Sequence, residues 1–168
     1  MIIACGIDPA ARYGIAIVEY PGDKIIGRYS GGNRAQGGFL LHAYGDTGAI
    51  LAIEDQFISD SPKMSTKERR GRQASAVKVA HRAGEWAGMA RAYGWPQAIY
   101  VKPQSWRGAY KRTGRVKGSK RWSKGDAVQW ANTLFRLSLE PAEHDLAEAL
   151  LIARWAAVRA VQDMRIKG

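Results

Sequence analysis

Two acidic residues stand at the ends of short apolar runs, Asp8 after residues 1–7 and Glu54 after residues 49–53. Near the C-terminus Asp145 and Glu148 are three positions apart, a spacing that puts both on neighbouring positions of one helical face. Leu146, Ala149 and Leu150 stand beside them, so the carboxylates project from a helix otherwise suited to packing on a sheet, where a buried unpaired charge is costly. A cation relieves that cost. If the strand ends and the helix meet, Asp8, Glu54, Asp145 and Glu148 surround a hard divalent ion, and their oxygen ligands suit Mg2+ or Mn2+. Each acid also has an ordinary structural reading. Asp8 before Pro9 caps a turn, Glu54-Asp55 is an exposed strand end, and Asp145 and Glu148 neutralise a basic surface. The four together, in a chain with a strongly basic half, favour the metal reading. No phosphate-binding lysine loop, dinucleotide fingerprint, paired-cysteine pattern or Gly-x-Ser-x-Gly element is present, and His42, His81 and His144 are too few for a histidine-rich zinc centre.

The elements that must position these acids follow from the apolar patterning. Residues 1–7, 14–20 and 24–29 read as three strands of a meander, with Pro21-Gly22-Asp23 as the second turn. Residues 30–38, rich in Gly and polar side chains, read as a loop, followed by a short helix over 39–44. Residues 49–53 read as a fourth strand and 98–101 as a fifth, stopped by Pro103. From 73 to 93 the small residues Ala76, Ala80, Ala83, Ala87 and Ala90 recur at helical spacing, with Val77 and Gly84 beside them, and that face suits close packing on a sheet or a partner. Two further helices are expected over 123–135 and 143–161, with Trp130, Phe135, Leu150, Trp155 and Val158 as core residues. This order fits one mixed α/β domain spanning 1–168.

The 168 residues carry a formal charge of +11, from 26 Lys and Arg against 15 Asp and Glu. The excess is not uniform: residues 1–60 net −3, residues 61–124 net +15 and residues 125–168 net −1. A concentrated basic stretch favours a polyanionic partner. It includes Lys67, Arg69, Arg70 and Arg72, then Arg107, Lys111, Arg112, Arg115, Lys117, Lys120, Arg121 and Lys124 with no acid among the last eight. Gly114 and Gly118 suggest that residues 107–124 move when unbound. The interleaved Trp106, Tyr110 and Trp122 either stack on bases or ribose or anchor the loop. Cys5, the one cysteine, cannot form an internal disulfide and reads as a buried thiol of a reduced compartment. No basic leader precedes Asp8 and no apolar run approaches ~18 residues, so a soluble intracellular protein without a membrane partner is expected.

These motifs resemble those of the RuvC-type Holliday junction resolvases, within the RNase H-like nucleases. Gly6-Ile7-Asp8-Pro9, followed by Arg12 and Gly14, resembles the first acidic motif, although Ala10 stands where the family has glycine. Ile53-Glu54-Asp55-Gln56-Phe57 resembles the second. Asp145-Leu146-Ala147-Glu148-Ala149-Leu150 resembles the final acidic helix, with Glu148 in place of the usual Asp, a longer arm that could alter the preference between Mg2+ and Mn2+. Pro103 with Trp106-Arg107, and Lys124 before Asp126-Ala127-Val128, resembles the segment leading into a lysine-led helix, with a longer and more basic insertion between them. The similarity spans most of residues 2–160.

The resemblance implies an RNase H-like mixed sheet, three antiparallel strands followed by parallel ones, flanked by helices. It implies a crossover junction endodeoxyribonuclease that hydrolyses DNA with two divalent ions, Mg2+ or Mn2+, ~4 Å apart. Asp8 would bridge the ions, Glu54 and Glu148 complete separate shells, and Asp145 bind or orient one of them. Lys124, with Arg107 second, would offset charge developing on the phosphate. Phe57 would wedge into opened stacking at a crossover, against its ordinary role as a core plug. Arg69, Arg70, Arg72, Arg107, Lys111, Arg112, Arg115, Lys117, Lys120 and Arg121 would hold DNA phosphates. The implied assembly is a homodimer on a four-way junction, and the divergence suggests a viral or mobile-element variant. Two other readings stay open: an RNase H-like nuclease for hybrids or flaps, and a nucleic-acid-binding protein whose acids carry no metal.

Overall fold

The computed structural model describes residues 1–55, 65–112 and 122–167. The expected meander forms from β1 (Ile2–Asp8), β2 (Tyr13–Tyr20) and β3 (Lys24–Gly31), paired antiparallel. On the other side of β1 lies β4 (Ile50–Glu54), parallel to it, and β5 (Ile99–Val101) extends the sheet in parallel from β4. The spatial order is β3-β2-β1-β4-β5. Three antiparallel strands are thus followed by parallel ones.

Alternation along the strands gives the sheet two unlike faces. Cys5, Ile7, Ile15, Ile17, Leu51 and Ile53 point to one side and pack with Leu41 of α1 (Arg34–Tyr44) and with Ala83, Trp86 and Ala90 of α2 (Thr66–Ala92). Ala4, Ala16 and Ala52 point to the other, where they meet α4 (Lys124–Phe135) and α5 (His144–Lys167). The first face is bulky and the second small. A helix can therefore lie much closer to the second, and at Gly6 the approach is very close: a Cβ there would overlap the backbone of Ala149 and Ala153.

Several boundaries differ from those read in the sequence. Residues 30–38 are not a loop: β3 continues to Gly31, and Asn33 caps α1 by accepting from the Ala35 N–H at 3.0 Å. Gly37 and Gly38 sit inside that helix because α2 crosses it closely; a Cβ on Gly37 would stand 2.6 Å from the Trp86 ring. Tertiary packing here overrides the usual meaning of glycine as a breaker. The long helix α2 begins earlier than residue 73, at Thr66. Ser65 and Glu68 form a capping box, with the Ser65 N–H donating to Glu68 Oε2 at 3.0 Å. Its small residues divide: Ala76, Ala83 and Ala90 are buried, whereas Ala80, Gly84 and Gly88 are exposed. At the C-terminus α5 runs to Lys167, beyond residue 161.

The basic stretch from 107 also differs from expectation, because its first part is helical. It forms α3 (Pro103–Arg112), whose Trp106 and Tyr110 are buried in the α4/α5 core, and the Tyr110 hydroxyl donates to the Leu151 carbonyl at 2.8 Å. These rings are thus anchors, unable to stack on bases. Trp130, Phe135 and Leu150 belong to the same core, with Trp155 packed half-buried against it. Cys5 is fully buried, which pushes its thiol well above the usual range. Among the described residues no helix is long and apolar enough to cross a membrane.

Candidate functional site

Parallel pairing of β1 with β4 aligns Ile7 with Ile53, so Asp8 and Glu54, one residue on, end their strands side by side. Both follow the parity of Gly6 and Ala52 and so project toward α5. At Gly14, the β2 partner of Asp8, a Cβ would overlap the Asp145 carbonyl, so the first turn of α5 rests directly on the backbone of the sheet. Two glycines therefore bring the helical acids down onto the strand acids.

Carboxylate oxygens of Asp8, Glu54 and Glu148 lie within 4.8 Å of one another. Asp145 is not part of that tight group but lines the same cleft, of about 290 Å³, together with Ala10, Arg107, Trp122, Ser123, Lys124 and His144. All four acids are buried, Glu54 to 2% exposure. Like charges at such range in a low-dielectric site oppose ionisation. Asp8 is held well above the usual carboxylate range, first by burial, then by the charges of Glu54, Glu148 and Asp145 and by a hydrogen bond with Glu148. Burial is also the largest influence on Glu54, pushed up to about 7 although the Arg107 guanidinium and the Trp106 N–H act the other way and Glu148 adds to the rise. Without a metal the site disfavours the ionised forms of Asp8 and Glu54. An all-oxygen donor set whose ionised form is opposed by burial and by mutual repulsion fits a hard divalent ion such as Mg2+ or Mn2+.

Three side chains orient the carboxylates through N–H groups. Trp106 Nε1 donates to Glu54 Oε2 at 2.7 Å, and Trp122 Nε1 donates to Glu148 Oε1 at 3.3 Å. Arg107 Nη2 donates to Glu148 Oε1 at 3.0 Å and lies 3.4 and 3.5 Å from the Glu54 oxygens. On the opposite wall His144 Nε2 stands 2.9 Å from Asp145 Oδ1 and 2.6 Å from Lys124 Nζ. Lys124 is exposed at the first position of α4, held there by a capping box in which the Ser123 N–H donates to Asp126 Oδ2 at 2.6 Å.

The structure thus gathers Asp8, Glu54, Asp145, Glu148, Lys124 and Arg107 into one cleft. Arg107, expected to contact phosphate or to offset charge developing on it, lies against two of the acids, because α3 is a helix that turns it inward. Lys111 is exposed and lines an adjoining cavity of about 290 Å³ with Pro103, Gln104, Arg107, Gly108 and Trp122. Arg69, Arg70 and Arg72 are exposed on the first turns of α2. Arg112 closes α3, and Phe57, Arg115, Lys117, Lys120 and Arg121 lie outside the described residues. Sequence reasoning passed over the Trp106 and Trp122 N–H groups and His144. His144 had a signal in its position directly before Asp145; the tryptophans had none, since an indole that orients a carboxylate looks like any core aromatic.

No family model matches the sequence, and no curated protein matches it. Solved structures do. The chain is similar to the structure of Thermus thermophilus RuvC, with a TM-score of 0.63 and 19% identity over 96% of this chain and 97% of that one. It is similar to T. thermophilus RuvC in complex with Holliday junction substrate at a TM-score of 0.64 and 19% identity, over 97% of each chain. The fold is therefore the RNase H-like one, matched over nearly the full chain.

Proposed function

We propose that this protein is a metal-dependent endonuclease that resolves four-way DNA junctions and accepts other branched DNA. The observation that carries the proposal is the meeting of Asp8, Glu54 and Glu148, from two strands and a helix distant in sequence, in one buried cleft of a chain with a net charge of +11. In this reading Asp8, Glu54, Asp145 and Glu148 hold two ions, Mg2+ or Mn2+. Such ions, when bound, supply a nucleophilic water at neutral pH and stabilise the leaving oxygen. The protein's own residues do the rest. Burial of the acids keeps bulk water from competing for the site, and Trp106 and Trp122 fix the carboxylates that they contact. Lys124 on the rim presents an ammonium to the negative charge that grows on the phosphate. Arg69, Arg70, Arg72, Lys111, Arg112, Arg115, Lys117, Lys120 and Arg121 hold backbone phosphates, and Phe57 wedges into the opened branch.

Junction selectivity rests on pairing of two copies. A four-way junction has approximate two-fold symmetry, so a C2 dimer reaches opposing strands with identical clefts. The face of α2 that carries the exposed Val77, Gly84 and Gly88 suits a second copy, because nothing occupies the space beside the glycines among the described residues. The likeness to RuvC solved with a Holliday junction supports this substrate class. The test is to measure the solution mass, then label each strand of an immobile junction and follow the products with competitor duplex present. A dimer making paired, opposed cuts is expected. A monomer that nicks duplex, flap or hybrid equally well would replace this reading by a general RNase H-like nuclease, and binding without cleavage in either ion by a nucleic-acid-binding protein.

A further inference from the structure

Arg107 and Trp122 line both cavities described above, the acidic cleft and its neighbour over α3, and of the two only Arg107 carries charge. Its Nη2 sits between Glu54 and Glu148, while its Nε is buried and finds no acceptor among the described residues. The guanidinium also stacks on the Trp106 ring, 4.9 Å from the centroid. This is a poor end state for an arginine that merely ties α3 to β4 and α5. A planar group with five donors pairs best with a carboxylate through two parallel N–H bonds, whereas here a single nitrogen serves two carboxylates and another is unmet. The position it takes is the one where positive charge is most needed, between two members of the acidic group.

We propose that Arg107 is a resident stand-in for the metal charge, holding Glu54 and Glu148 together in the metal-free protein and swinging into the adjoining cavity when divalent ions bind. The inference rests on the metal reading of the cleft and names a positioning residue within it. Two charges cannot neutralise the same oxygens at close range without repelling each other, so a cation arriving at Glu54 and Glu148 weakens the hold on Arg107. The cavity lined by Gln104, Gly108, Lys111 and Trp122 gives the side chain somewhere to go without disturbing the backbone of α3. Its glycine wall and the amide of Gln104 offer room and an acceptor. Arg107 and the ions then compete, and metal affinity in the wild-type protein is lower than its carboxylates alone would give.

That competition has a sign opposite to the one a structural role predicts. Arg107→Met keeps the stem that lies on Trp106 and removes the charge; Arg107→Lys keeps the charge and shortens the reach. Isothermal titration with MnCl2 and with MgCl2, without DNA, is the direct measurement, with denaturation in EDTA alongside. Arg107→Met should be less stable in EDTA yet bind the ions ~10-fold or more tightly, as expected on removing a unit charge from the site. Arg107→Lys should lie between it and the wild type. Unchanged or weaker binding by a folded Arg107→Met protein, with wild type binding normally, would overturn the stand-in and leave the metal site intact. If Arg107→Met does not fold, Arg107→Lys decides: affinity no higher than wild type overturns the proposal. Wild-type protein that binds neither ion would overturn both.

Discussion

Replacing Glu54 by glutamine should stabilise the metal-free protein, although Glu54 is buried and hydrogen-bonded. Its carboxyl is pushed from an ordinary 4.5 up to about 7, so the fold favours the protonated form. Below the ordinary value both folded and unfolded chains hold the proton and no penalty arises. As pH rises from 4.5 to 7 the unfolded chain loses its proton while the folded one retains it, and stability falls; above 7 the loss is complete. The interval corresponds to a penalty of about 3 kcal/mol, each pH unit counting ~1.4 kcal/mol. The amide in the Glu54→Gln protein does not titrate, and its oxygen can still accept from Trp106 Nε1. The variant should therefore match the wild type near pH 4.5 and exceed it above pH 7, by ~6–12 °C in Tm at the usual sensitivity for a chain this long. Metal reverses the order. Ions at ~1,000 times their Kd add ~4.1 kcal/mol to the wild type, more than the penalty, and the variant, missing a ligand, should gain far less. Thermal and urea denaturation in EDTA from about pH 4.5 to about pH 8.5, repeated with excess MgCl2, give both signs. A Glu54→Gln protein less stable than wild type at about pH 8 in EDTA, or a difference independent of pH, would refute the account of a buried carboxyl whose ionised form the fold opposes.

Asp8→Asn should retain the fold and most DNA binding while cleavage falls to background, as measured by circular dichroism, junction binding and labelled-strand products. Lys117→Ala, Lys120→Ala and Arg121→Ala together should lower the slope of log affinity against log salt by up to ~3, at ~0.9 for each phosphate no longer neutralised. An unchanged slope and affinity would remove residues 117–121 from the interface. Gly14→Ala, whose new Cβ overlaps the Asp145 carbonyl, should lift α5 from the sheet, cost ~1–3 kcal/mol or more and weaken magnesium binding without altering any ligand. Titration of a folded Gly14→Ala protein with normal ion affinity would show that the close approach of α5 is not what assembles the cleft.

The identity of the acids and the elements that bear them were legible in the linear pattern of residues. Asp8 and Glu54 were legible because each ends an apolar run, and Asp145 with Glu148 because a spacing of three places both on one face of a helix that must also pack. A short apolar run and the turn residues that bound it are local properties, so the five strands could be read within a residue or two. Which side chains meet was not legible there, because it depends on packing between elements far apart in the chain. Gly37 and Gly38 look like loop residues until α2 is laid across them, and Gly6 and Gly14 look like ordinary strand glycines until α5 rests on their backbone. Arg107 shows the same limit most clearly. In sequence it begins a basic run and reads as a phosphate clamp or a second cation beside the reacting phosphate; in the fold, α3 turns it toward Glu54 and Glu148. Charge is written in composition, but its partner is chosen by packing, since a cation 53 residues from Glu54 and 41 from Glu148 acquires both only when the helices close over the sheet.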